Sequence, residues 1–134
     1  MKCIIDTHVL LWALSDPERL SSSSRALIVD PTNSILVSAM SLAEIAIKAS
    51  TGKLAIDESL EARHYEGMLK YIEASGFEVL PYHAADAVLL RELDFHHRDP
   101  FDRMIITQAI RLKCPIMTTG SFFSLYPVRV IQAQ

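Results

Sequence analysis

The stretch Lys2-Cys3-Ile4-Ile5-Asp6-Thr7-His8-Val9-Leu10-Leu11-Trp12-Ala13-Leu14 holds the reading on which the fold turns. Lys2-Cys3-Ile4-Ile5 is apolar without polar alternation, so it reads as a short strand buried on both faces. It ends at an acid, Asp6. From Val9 to Leu14 the pattern is helical, and Ser15-Asp16-Pro17 stops it. A buried strand handing over to a helix is the repeating unit of a parallel sheet.

The rest of the chain repeats that alternation. A helix follows the Ser21 to Ser24 run, whose hydroxyls suit N-caps, and ends before Pro31. Ile35-Leu36-Val37 is a second strand, followed by a helix from about Ser41 to Ser50 with Gly52 as its stop. A longer amphipathic helix spans roughly Ser59 to Ser75, with Leu60, His64, Met68, Tyr71 and Ile72 at helical spacing and Gly76 behind it. Phe77 to Leu80 is a third strand, Ala84 to Leu93 a helix, and Asp94 to Arg98 a loop. Asp99-Pro100 opens a helix to about Lys113, with proline in the favoured first position. Ile116-Met117-Thr118 and Val128 to Ile131 supply strands four and five. Such a chain is expected to fold as α/β, a five-stranded parallel sheet covered on both faces, and as one domain over residues 1-134.

Composition agrees. With 134 residues, 50% of them hydrophobic, and only 4 Gly and 6 Pro, the chain is neither disordered nor low-complexity. The longest apolar run, Val9 to Leu14, falls far short of the ~20 residues that cross a bilayer, so a soluble, cytoplasmic protein is expected. Cys3 and Cys114 lie in apolar runs far apart and read as buried thiols of a reducing compartment, a redox pair being the alternative. A formal charge of −3 denies the chain a global basic field for nucleic acid.

Parallel sheets bind ligands beyond the carboxyl ends of their strands. Asp6 follows strand one there, and either caps the next helix or points into the crevice. Glu44 lies in Ser41-Leu42-Ala43-Glu44, which is a capping box in form, yet also places an acid one turn beyond strand two. Asp99 and Asp102 share one face of a helix start, where capping and dipole matching are the ordinary roles. Together the four acids open helices at one edge of one sheet. Two unit charges 4 Å apart cost about 4 kcal/mol at an effective dielectric near 20, so such a group raises its pKa values or recruits a cation. All-oxygen donors favour Mg²⁺ or Mn²⁺.

These residues carry a resemblance. Ile4-Ile5-Asp6-Thr7-His8-Val9-Leu10-Leu11-Trp12, Val37-Ser38-Ala39-Met40-Ser41-Leu42-Ala43-Glu44-Ile45, His96-His97-Arg98-Asp99-Pro100-Phe101-Asp102-Arg103-Met104-Ile105-Ile106 and Pro115-Ile116-Met117-Thr118-Thr119-Gly120 are similar to PIN-domain ribonucleases. The resemblance is especially to the VapC-like toxins of bacterial and archaeal toxin–antitoxin modules. The resemblance implies a three-layer α/β/α sandwich with strand order 3-2-1-4-5 and Mg²⁺- or Mn²⁺-dependent cleavage of RNA to 5′-phosphate and 3′-hydroxyl ends. It implies metal roles for Asp6, Glu44 and Asp102, with Asp99 as an extra acid and polar support from Thr7, Ser38 and Thr118. It implies RNA as substrate, a cognate VapB-like antitoxin as partner, a homodimer, and no membrane. Many relatives carry a fourth acid where this chain has Gly120, so a PIN-fold binding module with weak or lost catalysis is the alternative. Another metal-dependent phosphoryl-transfer enzyme, acting on DNA or small phosphate esters, is a third.

The remaining polar residues divide similarly. Arg98 and Arg103 are candidate phosphate or RNA contacts, against charge pairing with Asp99 and Asp102. For His96 and His97 loop solvation or RNA contact is favoured over a transition-metal site. Lys48 sits one turn after Glu44, a spacing for an intrahelical ion pair. Phe122, Phe123 and Tyr126 read as core, with base stacking as the alternative. Trp12 reads as core or interface, His8 as helix surface, and His64 and Tyr65 as packing. No Gly-rich phosphate loop or nucleophile elbow appears in the chain.

Overall fold

A computed structural model describes residues 1–53 and 64–134. Strand β1 (Lys2–Ile5) leads through α1 (Thr7–Ser15), a 3-10 turn (Pro17–Arg19) and α2 (Ser22–Val29) to β2 (Ser34–Ser38). Helices α3 (Ala39–Ser50) and α4 (His64–Ala74) precede β3 (Glu78–Leu80). Then come α5 (Ala84–Leu89), α6 (Pro100–Leu112), β4 (Ile116–Thr118), a second 3-10 turn (Phe123–Leu125) and β5 (Val130–Gln132). The five strands are parallel in the order β3-β2-β1-β4-β5.

Alternate strand residues build two cores. Cys3, Ile5, Ile35, Val37 and Met117 face one side, where Val9, Leu10, Ile45 and Ile72 from α1, α3 and α4 cover them. Ile4, Leu36 and Ile116 face the other side, under Ile105, Ile106 and Ala109 of α6 and Phe123. This is the expected three-layer sandwich. Cys3 and Cys114 are free, buried thiols, Cys3 packed in the first core and Cys114 in the second. Among the described residues no helix is long and apolar enough to cross a membrane.

Boundaries differ from the sequence reading where tertiary contacts intervene. Helix α3 begins at Ala39 because Ser38 is its N-cap, its Oγ accepting from Met40 N–H at 3.0 Å. The reading of Ser41 as N-cap is therefore wrong. Helix α5 stops at Leu89, short of Leu93, where the bonds tighten to turns, Leu90 N–H donating to the Ala87 carbonyl at 3.2 Å and Glu92 N–H to the Leu89 carbonyl at 3.1 Å. Strand β5 runs Val130–Gln132, beyond Val128, whose N–H donates locally to the Tyr126 carbonyl at 2.7 Å. Gly52 and Gly76 follow α3 and α4 with φ of 71° and 93°, which glycine adopts freely. The start of the helix read from Ser59, with Leu60 and the side chains of His64 and Tyr65, lies outside the described residues.

The topology selects one place for a ligand. The chain leaves β1 toward β2 and leaves β4 toward β5, so the connections part between β1 and β4. Such a switch point opens a crevice at the carboxyl ends of the two strands. Ile5 pairs with both Val37 and Met117, which sets Asp6, Ser38 and Thr118 side by side at that edge.

Candidate active site

Asp6 is 4% exposed and held at both oxygens. Val9 N–H donates to Oδ1 at 2.9 Å, the helix cap foreseen from sequence, and the Thr118 hydroxyl donates to Oδ2. Thr118 Oγ1 in turn accepts from Gly120 N–H at 2.9 Å. Burial pushes the Asp6 pKa up, the Thr118 and Val9 bonds and the His8 charge oppose that, and the Glu44 carboxylate adds to the rise.

Glu44 is 3% exposed and far from solvent-facing helix surface. Its Oε1 accepts from Thr7 Oγ1 at 2.6 Å, and its Oε2 pairs with Lys48 Nζ. Thr7 Oγ1 also lies 3.0 Å from Ser41 Oγ. A hydroxyl has one proton, and the shorter bond assigns it to Glu44, so Ser41 donates to Thr7. Glu44 does not reach back to the Ser41 amide, because the helix has already run more than a turn from Ser38. The capping-box role assigned to this acid is absent. Ser38 spends its own proton on Gln108 Oε1 (2.5 Å), and Gln108 Nε2 donates to the Pro81 carbonyl at 3.2 Å, tying α3 to α6 beneath the site.

Asp99 is the N-cap of α6, its Oδ1 accepting from Phe101 N–H at 2.9 Å and Asp102 N–H at 3.4 Å. Asp102, one turn in, projects between α6 and the sheet edge, where its Oδ2 lies 2.8 Å from His97 Nε2. Burial raises the Asp102 carboxyl from its ordinary value near 3.8 to about 6. The His97 bond opposes the rise, and the charges of Asp99, Asp6 and Glu44 reinforce it. Lys48 feels the same group, its ammonium pKa raised by Glu44, then by Asp99 and Asp102. Four carboxylates from three segments, the start of α1, helix α3 and the start of α6, thus share one field, with Lys48 inside it.

That donor set fits a hard divalent cation. Four anions and one ammonium leave uncompensated negative charge in a partly buried place, and carboxylate oxygens are the ligands such ions prefer. Among the described residues, His97, Asp99 and Asp102 each bring one ligand atom to within 4.8 Å of the others. A cavity of about 260 Å³ lined by Lys113, Cys114, Pro115 and Arg129 opens at the opposite, amino-terminal edge of the sheet and contains no carboxylate.

Other sequence candidates are placed elsewhere. Arg103 neither pairs with Asp99 or Asp102 nor faces them. Its guanidinium donates to the carbonyls of Asp94 (3.0 Å), Leu93 (3.3 Å) and His97 (3.4 Å) and to Tyr126 Oη (3.3 Å), beneath the Phe95 ring. It is a clamp on the loop before α6. Arg98 is exposed and has no ion pair among the described residues. Phe123 and Tyr126 are core, whereas Phe122 is 47% exposed and stacks on His97. Trp12 packs partly buried against the first core, under the Arg19 guanidinium.

Sequence favoured loop solvation or RNA contact for His97 over a metal site shared with the acids, whereas the structure sets its imidazole against Asp102. One feature escaped the sequence reading altogether. Asp86 is fully buried and paired with Arg111, with His83 N–H donating to its Oδ2 at 2.9 Å, which fastens α5 to α6. At Gly120, an added Cβ would stand 2.9 Å from Phe123 Cε2 and 3.3 Å from Thr118 Oγ1. The place of the missing acid is filled by a buried ring.

The PIN domain family model matches residues 3–127. No curated protein sequence matches the chain. Among solved structures, VapBC2 from Rickettsia felis bound to a promoter DNA fragment contains a chain with TM-score 0.73 and 19% identity, covering 100% of both chains. DNA-bound VapBC from Salmonella typhimurium gives 0.64 and 20%, covering 98% of this chain and 97% of that one. FitAcB from Neisseria gonorrhoeae gives 0.62 and 16%, covering 97% and 96%. At these identities the likeness is one of fold.

Proposed function

The chain belongs to the PIN-domain family, and from that premise we propose that it is a divalent-metal-dependent endoribonuclease of the cytoplasm. In this reading it is the toxin of a two-protein module, a homodimer held inactive by a small cognate antitoxin of the VapB type. One observation carries the activity: Asp6, Glu44, Asp99 and Asp102 gather at the sheet's switch point, close enough that the charges of the other three all help raise the Asp102 carboxyl. Structural acids have no reason to gather there, since capping needs only one oxygen each. The partner reading is supported by the fold shared with chains crystallised as VapBC and FitAB complexes.

Asp6 and Asp102 would hold Mg²⁺ or Mn²⁺, with Asp99 beside them. Such an ion lowers the pKa of a bound water and offsets charge on a scissile phosphate. Asp6, fixed at both oxygens, cannot turn away as the phosphate enters. Glu44, aimed by Thr7 and Lys48, accepts a proton of the attacking water on a remaining lone pair and so orients it toward phosphorus. Attack breaks the bond to the 3′ oxygen, which takes a proton and leaves as a hydroxyl, and the phosphate stays on the 5′ end. Lys48, 35% exposed beside Glu44, offers an ammonium to an arriving phosphate.

The Phe123 ring beside Gly120 favours a second reading, a PIN-fold module that binds RNA or protein with weak or lost catalysis. Incubating the protein with single-stranded and structured RNA in Mg²⁺, Mn²⁺ or EDTA separates the two. Cleavage that EDTA abolishes, leaving 5′-phosphate ends, supports the nuclease. RNA binding without metal-dependent cleavage supports the binding module, and cleavage confined to DNA or small phosphate esters contradicts both.

A further inference from the structure

We propose that His97 is a nitrogen ligand of this centre, forming with Asp99 and Asp102 a mixed imidazole–carboxylate set that takes Mn²⁺ in preference to Mg²⁺. The inference rests on the metal-dependent reading above and deepens it. An acid pair at a helix start is ordinary capping, but an imidazole nitrogen aimed at that pair is not. His97 Nε2 lies 2.8 Å from Asp102 Oδ2, and the ligand atoms of all three residues fall within 4.8 Å of one another. Ligands at right angles on an ion with bonds near 2.1 Å lie roughly 3 Å apart, so the nitrogen and the oxygen already stand at the spacing of neighbouring ligands.

The imidazole is held there by contacts unrelated to the acids. Its ring stacks on Phe122 with centroids 4.8 Å apart and planes 12° from parallel, which fixes the ring plane. Its carbonyl accepts from Arg103, whose other donors secure Leu93 and Asp94 in the same loop. Asp99 spends only Oδ1 on capping, which leaves its second oxygen for a ligand. The single proton between His97 and Asp102 is displaced when an ion takes their facing atoms, moving to Nδ1 or to water. Imidazole suits first-row transition ions, whereas Mg²⁺ prefers oxygen donors and keeps its waters. A nitrogen in the set therefore favours the former.

Mn²⁺ bound to the purified protein, followed by pulsed electron paramagnetic resonance, tests this directly. The wild type is expected to show a ¹⁴N coupling of an imidazole, absent in His97→Ala and in His97→Gln. Competition by Mg²⁺ is expected to show the preference for Mn²⁺ falling about tenfold in both variants. Glutamine keeps a donor toward Asp102, so a His97→Gln variant with the wild-type preference would mean that His97 only positions Asp102, and the proposal is overturned. Bound Mn²⁺ without nitrogen coupling in the wild type overturns it too, while leaving the nuclease reading intact. No divalent binding at all removes both.

Discussion

At Asp102 burial and three neighbouring carboxylates act against one imidazole, and burial prevails, with the pKa at about 6 against an ordinary 3.8. Between those values the folded chain binds a proton that the unfolded chain has released. Stability contributed by this residue is therefore present at low pH and lost as pH rises through that window. Asp102→Asn removes the penalty, and we expect it to stabilise the metal-free protein near pH 7 by on the order of 2 kcal/mol, with little change near pH 4. Denaturant unfolding in EDTA measures it, and a variant less stable than the wild type near pH 7 contradicts the assignment. At this scale the acids were visible in sequence, but their two roles were posed as alternatives. Asp6 and Asp99 each spend one oxygen on a cap and so serve as helix starts and as members of the site together. His97 was weighed as a metal partner of the acids but ranked below loop solvation, because its place depends on Phe122 and Arg103, both remote in sequence or across a helix start.

Helix α3 shows how a local pattern misleads. Ser38 and Ser41 both precede Glu44 and both suit an N-cap, and only the end of β2 decides between them. Because Ser38 caps Met40 and donates to Gln108, Ser38→Ala is expected to cost about 2 kcal/mol in thermal or denaturant unfolding. Ser41→Ala removes only a donor to Thr7 and is expected to cost about 1 kcal/mol or less. The reverse ranking contradicts the cap assignment. The turn after β4 is equally specific. Gly120→Ala drives a methyl against the Phe123 ring, which is 2% exposed, and is expected to destabilise by about 1–3 kcal/mol in the same measurement. A neutral effect would mean that the turn is not confined by that ring. Helix α5 was overextended for a related reason. Its apolar pattern runs on to Leu93, but after Leu89 the chain goes on in turns, Leu90 N–H donating to the Ala87 carbonyl and Glu92 N–H to the Leu89 carbonyl.

Across the whole molecule, the alternation of buried strands and helices was legible because parallel strands covered on both faces leave uninterrupted apolar runs. The order of those strands followed from family resemblance rather than from periodicity, which says nothing of which strand lies beside which. That order matters most for function, since it parts the chain between β1 and β4 and gathers four acids there. The charge of −3 changes meaning in this light. Four of the 16 acidic residues sit in the cluster, and the 13 basic residues outnumber the rest. Binding to RNA should accordingly be modest and metal-linked rather than driven by a basic surface.

In the proposed function the acid group, with Asp6 at its centre, performs metal-dependent cleavage of RNA. Asp6→Asn tests it most directly, because the amide oxygen still accepts from Val9 N–H and preserves the helix cap. With Mn²⁺ and single-stranded RNA, and with matched unfolding curves for both proteins, the variant is expected to cleave about 100-fold more slowly or worse. Cleavage by the folded variant at the wild-type rate, still abolished by EDTA, would contradict the account.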